Sequence, residues 1–266
     1  MNIKIKEIIA REEQEFPRLF AYSEERPYGT LFFNPRIKTH HDSNHAIICP
    51  EKITDFGRTL EDIKEFYQAK DIIPALYHPN VEDYFIQNAR TLKSHGFEFM
   101  TPPDARIMTL ELENTEIKPL SGKLEIKHIK EINMIEDGSF FIEKDEYLTE
   151  IYRNCIGKEN HYLFVGYYED KPVSLVSFHV SQYGCTRFDE MKTAGDYKGN
   201  GFARDMNKFA ANFCVENNLP IAYQWPAHGT SERITTEAGF RVSFMLPCGY
   251  AAYAIRDHYS EDNYNE

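Results

Sequence analysis

Residues 185–218, CTRFDEMKTAGDYKGNGFARDMNKFAANFCVENN, hold the pattern that decides the fold. A strand is predicted over residues 185–193 and an amphipathic helix over residues 201–216, with a short turn rich in small residues between them. We call residues 197–203, YKGNGFA, the glycine loop. The first N–H groups of a helix lack partners within it and lie at the positive end of its dipole. A glycine turn that opens onto a helix therefore predicts a phosphate-binding site.

The composition is typical of a soluble globular protein. The 266 residues suffice for one large domain or two of about 130 residues. Hydrophobic residues make up 42% of the chain and charged residues 27%, which allows a full core. The net charge of -12 argues against nucleic acid or an anionic membrane as the main partner. It still allows a locally positive pocket for an anionic cofactor.

Cysteine usage and the N-terminal residues predict a cytoplasmic protein. The five cysteines are Cys49, Cys155, Cys185, Cys214 and Cys248. They are odd in number, scattered and without a CxxC pair, so we expect reduced thiols that pack in the core rather than disulfides. Residues 1–16 carry charges every few positions, unlike a signal peptide, and no apolar run approaches the ~18 residues of a membrane span.

The first half is predicted to contain a helix followed by elements in the order β-β-α-β-α-β-β. Thr59 is expected to cap the second helix, and Gly96 to end the third in the left-handed conformation. The predicted bounds are a helix over 3–15, strands over 30–41 and 44–49, a helix over 59–70, a strand over 71–77, a helix over 81–94, and strands over 97–100 and 105–112.

Three histidines, His40, His41 and His45, flank a polar turn in this half. A metal ion needs three or four convergent ligands, and no carboxylate or cysteine stands at ligand spacing beside these histidines. We therefore interpret them as solvated side chains and expect no metal site.

Residues 113–123, which contain Asn, Pro and Gly, form the predicted boundary between domains of residues 1–118 and 119–266. The second domain is predicted to contain a three-stranded meander before the glycine loop, and to be completed by its last two strands. Its predicted elements are strands over 124–129, 161–168, 172–180, 185–193, 219–225, 242–246 and 250–255, and helices over 129–136, 145–155, 201–216 and 231–237.

The two halves share an order of features. Each passes through a helix, a strand ending in an aromatic residue and proline, a second helix, a Gly-Phe pair, a strand, a proline and a strand. The pairs are Gly96-Phe97 and Gly239-Phe240. This order is either a chance similarity between two α/β segments or the mark of two related tandem domains, of which only the second retains the glycine loop.

Residues 198–203, KGNGFA, lie between a predicted strand and helix and resemble the Arg/Gln-x-x-Gly-x-Gly/Ala motif of the GNAT superfamily of acyl-CoA-dependent N-acetyltransferases. Residues 237–240, EAGF, resemble the helix end that precedes the sixth strand of that family. The resemblance covers about residues 124–255, and more weakly about residues 30–112. Lys198 replaces the usual Arg or Gln, which a turn acting through backbone N–H groups tolerates.

The resemblance implies an α+β fold with a mixed, mostly antiparallel central sheet flanked by helices, in two tandem GNAT-like domains. It also implies acetyl-CoA as co-substrate, with the pyrophosphate on the amides of the glycine loop and the pantetheine arm paired along the preceding strand. The implied cofactor-binding residues are Met191, Thr193, Lys198, Gly199, Asn200, Gly201, Phe202 and Ala203.

Direct attack by a neutral amine on the thioester requires a base, oxyanion donors and an acid. Glu190 stands on the strand where the family frequently places a carboxylate, so the resemblance implies it as the base. Its neighbour Asp189 is expected on the opposite face of the strand, because side chains alternate along a strand. His228 occupies the position where the family often has Asn, and is a further candidate.

The sequence departs from the family at the acid. The tyrosine often found four residues before the glycine of the Gly-Phe pair is Thr235 here. Tyr250, Tyr253 and Tyr223 are the candidate substitutes, with Tyr250 preferred.

Three functions remain open on sequence. The favoured one is an N-acetyltransferase that moves an acetyl group from acetyl-CoA to an unidentified primary amine. The second is a non-catalytic acyl-CoA-binding or regulatory protein, which the missing tyrosine would suit. The third is a glycine-loop nucleotide-binding protein, disfavoured because the loop lacks a P-loop Gly-Lys-Ser/Thr. No nucleic acid or membrane partner is expected, and a homodimer is compatible with the sequence.

Overall fold

The computed structural model describes residues 3–79, 82–100, 105–131, 133, 146–226 and 229–253. Within this part of the chain, the strands form one sheet of six strands and one of seven. The predicted α+β class, with mostly antiparallel sheets flanked by helices, is confirmed.

Most elements lie within a few residues of their predicted bounds. The α-helices are α1 (Ile3–Glu15), α2 (Phe56–Gln68), α3 (Glu82–Gln87), α4 (Ala89–Ser94), α5 (Glu146–Cys155), α6 (Phe202–Glu216) and α7 (Thr230–Glu237). The strands are β1 (Tyr22–Arg26), β2 (Gly29–Phe33), β3 (His45–Ile48), β4 (Ala75–Pro79), β5 (Phe97–Met100), β6 (Ala105–Leu110), β7 (Glu125–His128), β8 (His161–Tyr168), β9 (Lys171–Val180), β10 (Thr186–Thr193), β11 (Ala222–Gln224), β12 (Arg241–Leu246) and β13 (Cys248–Tyr253). Most of the helix predicted over 129–136 lies outside the described residues.

Two strands pair outside the half of the sequence in which they were predicted. The six-stranded sheet has the order β1-β2-β3-β4-β13-β5, so the last of the described strands lies between two strands of the first half. The seven-stranded sheet has the order β12-β6-β11-β10-β9-β8-β7, so β6 joins the second half. The expectation that β12 and β13 both complete the second domain was wrong for β13, because hydrophobic periodicity identifies a strand but not the backbone edge with which it pairs.

The same exchange determines how the chain divides into compact units. Unit 1 consists of Met1–Glu12 and Arg106–Met245, and unit 2 of Glu13–Ala105 and Leu246–Glu266. The predicted single boundary at residue 118 does not coincide with this division, since each unit contains two separate stretches of the sequence.

Local differences in the first half have local causes. Asp55, not Thr59, caps α2, because its carboxylate accepts a hydrogen bond from Arg58 N at 3.0 Å. The helix predicted over 81–94 forms the two short helices α3 and α4. Gly96 has φ +84°, which confirms the predicted left-handed end of α4.

Unit 1 packs apolar side chains on both faces of its sheet. On one face, Met206, Ala210 and Cys214 of α6 belong to one buried cluster with Phe164 and Phe178. The other face holds a smaller cluster formed by Ile129, Tyr152, Leu163, Val165 and Leu175.

Four of the five cysteines are buried, as predicted for thiols that pack in the core, and Cys49 is partly exposed. Among the described residues, no helix combines the length and apolarity needed to cross a bilayer.

Candidate functional site

The centre of the unit 1 sheet opens where two parallel strands separate. β10 and β11 pair at Thr186↔Ala222 and Arg187↔Tyr223, whereas β10 continues to Thr193. Residues 187–193 are only partly buried, although β10 lies in the middle of the sheet and β9 beside it is almost entirely buried. The opening between β10 and β11 therefore makes one side of β10 accessible to a ligand.

A β-bulge sets which side chains β10 presents there. Phe188 pairs with Phe178 and Glu190 pairs with Ser177, so Asp189 is the extra residue between them. Consecutive residues of β9 face opposite sides of the sheet, which places Glu190 on the side of Ser177. The expectation that Asp189 and Glu190 point to opposite faces was wrong, because a bulge interrupts the alternation.

The glycine loop leads from β10 into α6. Gly199 has φ +83° and Gly201 has φ +85°, a left-handed backbone that other residues adopt at a cost. A Cβ atom added to either glycine would meet nothing within 4 Å. These two glycines are therefore required by the backbone path and not by tight packing, and the outer side of the loop is open. Asn200 stabilises the conformation of the loop, because its Nδ2 donates a hydrogen bond to Tyr197 O at 3.1 Å.

The helix that follows begins without a side-chain cap. Gly201 is the N-cap residue, and Asp205 N donates to Gly201 O at 3.1 Å in the first turn. The backbone N–H groups of residues 202–204 precede that bond at the positive end of the helix dipole. Phe202 is buried and holds the helix start in place, with its ring centroid 5.2 Å from that of Tyr168.

Comparison with solved structures identifies this architecture. A GCN5-related N-acetyltransferase from Kribbella flavida matches with a TM-score of 0.69 at 12% identity, over 97% of this chain and 98% of its own. The protein has the GNAT fold. A GCN5-related N-acetyltransferase from Sphaerobacter thermophilus matches with a TM-score of 0.57 at 12% identity, over 93% and 91% of the two chains.

A tandem GNAT protein from the clavulanic acid biosynthesis pathway matches with a TM-score of 0.53 at 11% identity, over 80% of this chain and 76% of its own. The prediction of a two-domain GNAT-like fold is thus confirmed. No protein-family model and no curated protein matches the sequence.

The equivalent helix of unit 2 lacks an open N-terminus. In this GNAT fold α2 follows β3, which pairs in parallel with β4 at Ala46↔Leu76, just as α6 follows β10. The carboxylate of Asp55 caps α2 through Arg58 N. A carboxylate in that position occupies the donors that a phosphate would use and repels its charge. The start of α2 is therefore less suited to an anion than the uncapped start of α6.

Three buried polar side chains form a closed ring beside the opening. Gln224 Nε2 donates to Asn207 Oδ1 at 3.2 Å, Thr235 Oγ1 donates to Gln224 Oε1 at 3.1 Å, and Asn207 Nδ2 donates to Thr235 Oγ1 at 3.4 Å. The ring joins α6, β11 and α7. Thr235 is 0% exposed, so the position where the family often has a tyrosine is here part of the core.

Replacing Thr235 with Val should lower the free energy of unfolding by about 1–3 kcal/mol, because it leaves two buried amides without their hydroxyl partner. The exposed neighbour Thr236, whose hydroxyl bonds to Glu232 O at 2.9 Å, provides the matched Val control. Denaturant unfolding of both variants tests this. Equal stability of the two variants would show that the ring contributes nothing.

The proposed catalytic residues do not all lie in the described part of unit 1. Glu190 is half-buried on β10. Tyr250 belongs to unit 2, where its ring meets that of His41 edge-on with centroids 6.0 Å apart. His228 lies outside the described residues. Tyr223 is 1% exposed.

Of the predicted cofactor-binding residues, Met191 and Thr193 lie on β10, and the others lie in the glycine loop. Met191 pairs with Val176 and Thr193 with Ser174 in the ladder between β10 and β9. Thr193 Oγ1 is 2.8 Å from Ser174 Oγ, so its hydroxyl is already bonded. Among the described residues, no group of three or more His, Cys, Asp or Glu side chains could hold a metal ion.

Proposed function

We propose that the protein is an N-acyltransferase that moves an acetyl group from acetyl-CoA to a primary amine by direct attack. The observation that carries this proposal is the uncapped N-terminus of α6, which follows two left-handed glycines and stands beside the opening at β10 in a GNAT fold. An anion-binding helix start next to an accessible strand suits a long ligand with a pyrophosphate at one end and an extended arm at the other.

The ligand would be held largely by backbone groups. The pyrophosphate accepts hydrogen bonds from the amides of residues 199–203, and the exposed Lys198 adds positive charge at the loop. The pantetheine arm runs along β10 beside Met191 and Thr193, whose backbone supplies the pairing. Asn200 and Phe202 shape the loop, the first through its bond to Tyr197 and the second through its buried ring. Ala203 contributes its N–H at the start of the helix.

The chemistry proposed for the site uses a single carboxylate. Glu190 would take a proton from the substrate ammonium group to give the neutral amine, or from the amine nitrogen as it bonds to the acetyl carbon, either directly or through water. The thiolate of CoA then leaves and takes its proton from solvent. No residue is assigned as the acid, because Thr235 is closed within the buried ring, Tyr250 belongs to unit 2 and His228 lies outside the described residues.

A non-catalytic acyl-CoA-binding protein is the second candidate. The buried ring of Asn207, Gln224 and Thr235 favours this candidate, because Thr235 stands where many members of the family have a tyrosine that serves as the general acid. The two candidates share the cofactor site and differ only in turnover.

Isothermal titration with acetyl-CoA, NAD and ATP is expected to show binding of acetyl-CoA alone. Thiol release is then measured across a panel of polyamines, aminoglycosides and lysine. Release with one class of amine supports the transferase, whereas binding without release from any amine supports the non-catalytic protein. A protein that fails to bind acetyl-CoA would overturn both.

A further inference from the structure

A buried cluster of charged side chains lies within unit 1, on the side of the sheet that carries Ser177. His179 of β9 is 3% exposed, and both of its ring nitrogens meet carboxylates. Nδ1 lies 2.8 and 2.9 Å from the two oxygens of Asp189, and Nε2 lies 2.8 Å from Glu12 Oε1. Glu12 also accepts a hydrogen bond from Ser181 Oγ. The cluster therefore connects α1, β9 and β10.

The geometry is that of an imidazolium. A neutral ring has one donor and one acceptor nitrogen, whereas two ionised carboxylates on opposite sides of the ring require two donors. Burial opposes the charge, yet Asp189 and Glu12 raise the pKa of His179 to about 9. The pKa of Asp189 is lowered in return, since His179 and Arg187 outweigh its own burial. Arg187 Nη1 donates to Asp189 Oδ1 at 2.9 Å.

The cluster includes Asp189, the residue of β10 that has no cross-strand partner in the ladder with β9. Asp189 is the bulged residue, and the register beyond it decides the face of Glu190 and the path of residues 190–193 toward the glycine loop. Moving a strand by one residue turns every following side chain to the other face. A contact that fixes the bulge thus fixes the geometry of the accessible strand.

We propose that His179, bonded between Glu12 and Asp189, is a positioning residue that holds the β10 bulge and thereby orients Glu190 and the strand along which the acyl-CoA arm binds. The expected effect of His179 on CoA binding rests on the proposed function, whereas its expected effect on the conformation of β10 does not. Glu12 and His179 stand 167 residues apart, and no local pattern in the sequence connects them.

The test compares wild type with His179→Gln, Asp189→Asn, the double variant carrying both changes, and Ser181→Ala. Two measurements are made: hydrogen exchange of the amides of residues 190–193 without ligand, and the affinity for CoA by titration. Gln at 179 leaves one carboxylate without its donor, so exchange at residues 190–193 should accelerate about 10-fold and the Kd for CoA should rise about 10-fold. Asp189→Asn should act in the same direction.

Two variants separate positioning from general destabilisation. The double variant pairs two neutral amides and should recover to within about 3-fold of wild type in both measurements. Ser181→Ala removes a hydroxyl from Glu12 but leaves the pair of His179 and Asp189, so both measurements should stay within about 2-fold. If His179→Gln accelerates exchange only in α1 and β9, with residues 190–193 and the Kd unchanged, the inference is overturned. If wild type binds no CoA, the proposed function fails, and exchange at residues 190–193 alone decides the role of His179.

The thermal midpoint adds a charge-sensitive measurement. Because the pKa of folded His179 is raised from 6.5 to about 9, its stabilising effect is fully present below pH 6.5 and is lost as the pH rises through 9. The midpoint of wild type should exceed that of His179→Gln most at pH 6 and least at pH 10. A difference that does not change over this range would exclude the imidazolium. Among the described residues, Glu12, Asp189 and His161 act on His179. Lys158 acts on His161, and Arg187 and Cys155 interact with Asp189.

Discussion

Replacing Gly201 with Asp is expected to weaken CoA binding by about 100-fold or more, since a carboxylate about 4 Å from a phosphate costs roughly 4 kcal/mol at an effective dielectric of 20. The new side chain stands at the N-cap of α6 and competes for the amides that would hold the pyrophosphate. In unit 2 a carboxylate already stands at an N-cap, that of Asp55, which accepts a hydrogen bond from Arg58 N at 3.0 Å at the start of α2. The measurement is isothermal titration with CoA, which needs no turnover.

Gly201→Asn is the matched control. Asn has nearly the same shape as Asp, carries no charge, and is among the residues that best tolerate the φ of +85° at this position. Its loss of affinity should stay below about 10-fold, because only the amides compete and no charge repels the phosphate. Equal affinities of the Asp and Asn variants would place the phosphate elsewhere.

Replacing Glu190 with Gln is expected to lower kcat by about 100-fold at neutral pH, because an amide cannot accept the proton that we propose the carboxylate removes. The KM for acetyl-CoA should change little, since Gln keeps the size of the side chain and the backbone of β10 is untouched. The measurement is the steady-state rate of thiol release with the amine of the panel that gives the fastest release.

Glu125→Gln makes the same chemical change on β7, at the far edge of the sheet, and serves as the control. Its kcat should equal that of wild type. A Glu190→Gln enzyme with a kcat within about 3-fold of wild type would remove Glu190 from the base role. That result would leave the cofactor site, which the Gly201 variants test separately, unaffected.

The glycine loop and the elements around it were predictable because their signals are local. Glycine at positions 199 and 201 marks a left-handed backbone, and the apolar period of residues 202–216 marks a helix, whatever surrounds them. The strands of the meander before the loop were also predicted correctly, and β8 has its predicted bounds, residues 161–168.

What could not be predicted depends on pairing between distant residues. The bulge at Asp189 arises from the register of β10 against β9, and a sequence read with strict alternation assigns Asp189 and Glu190 to opposite faces, whereas both lie on the side of Ser177 and His179. The ring that encloses Thr235 needs Asn207 from one helix and Gln224 from a strand. Because of these contacts, Thr235, at the position where a catalytic group was expected, is part of the core. The spacing of residues along the sequence does not predict this.

The placement of β13 also bears on how the chain is made. Cys248 pairs with Pro79, and the strand lies between β4 and β5, so the inner part of the unit 2 sheet is filled by almost the last described residues. A ribosome delivers the N-terminal residues first. During synthesis β4 and β5 must therefore wait, with open backbone edges, until Cys248–Tyr253 has emerged. The sheet of unit 2 is in this way completed only after Arg106–Met245 of unit 1 has been synthesised, and the long loop that β13 must close makes this step a slow one.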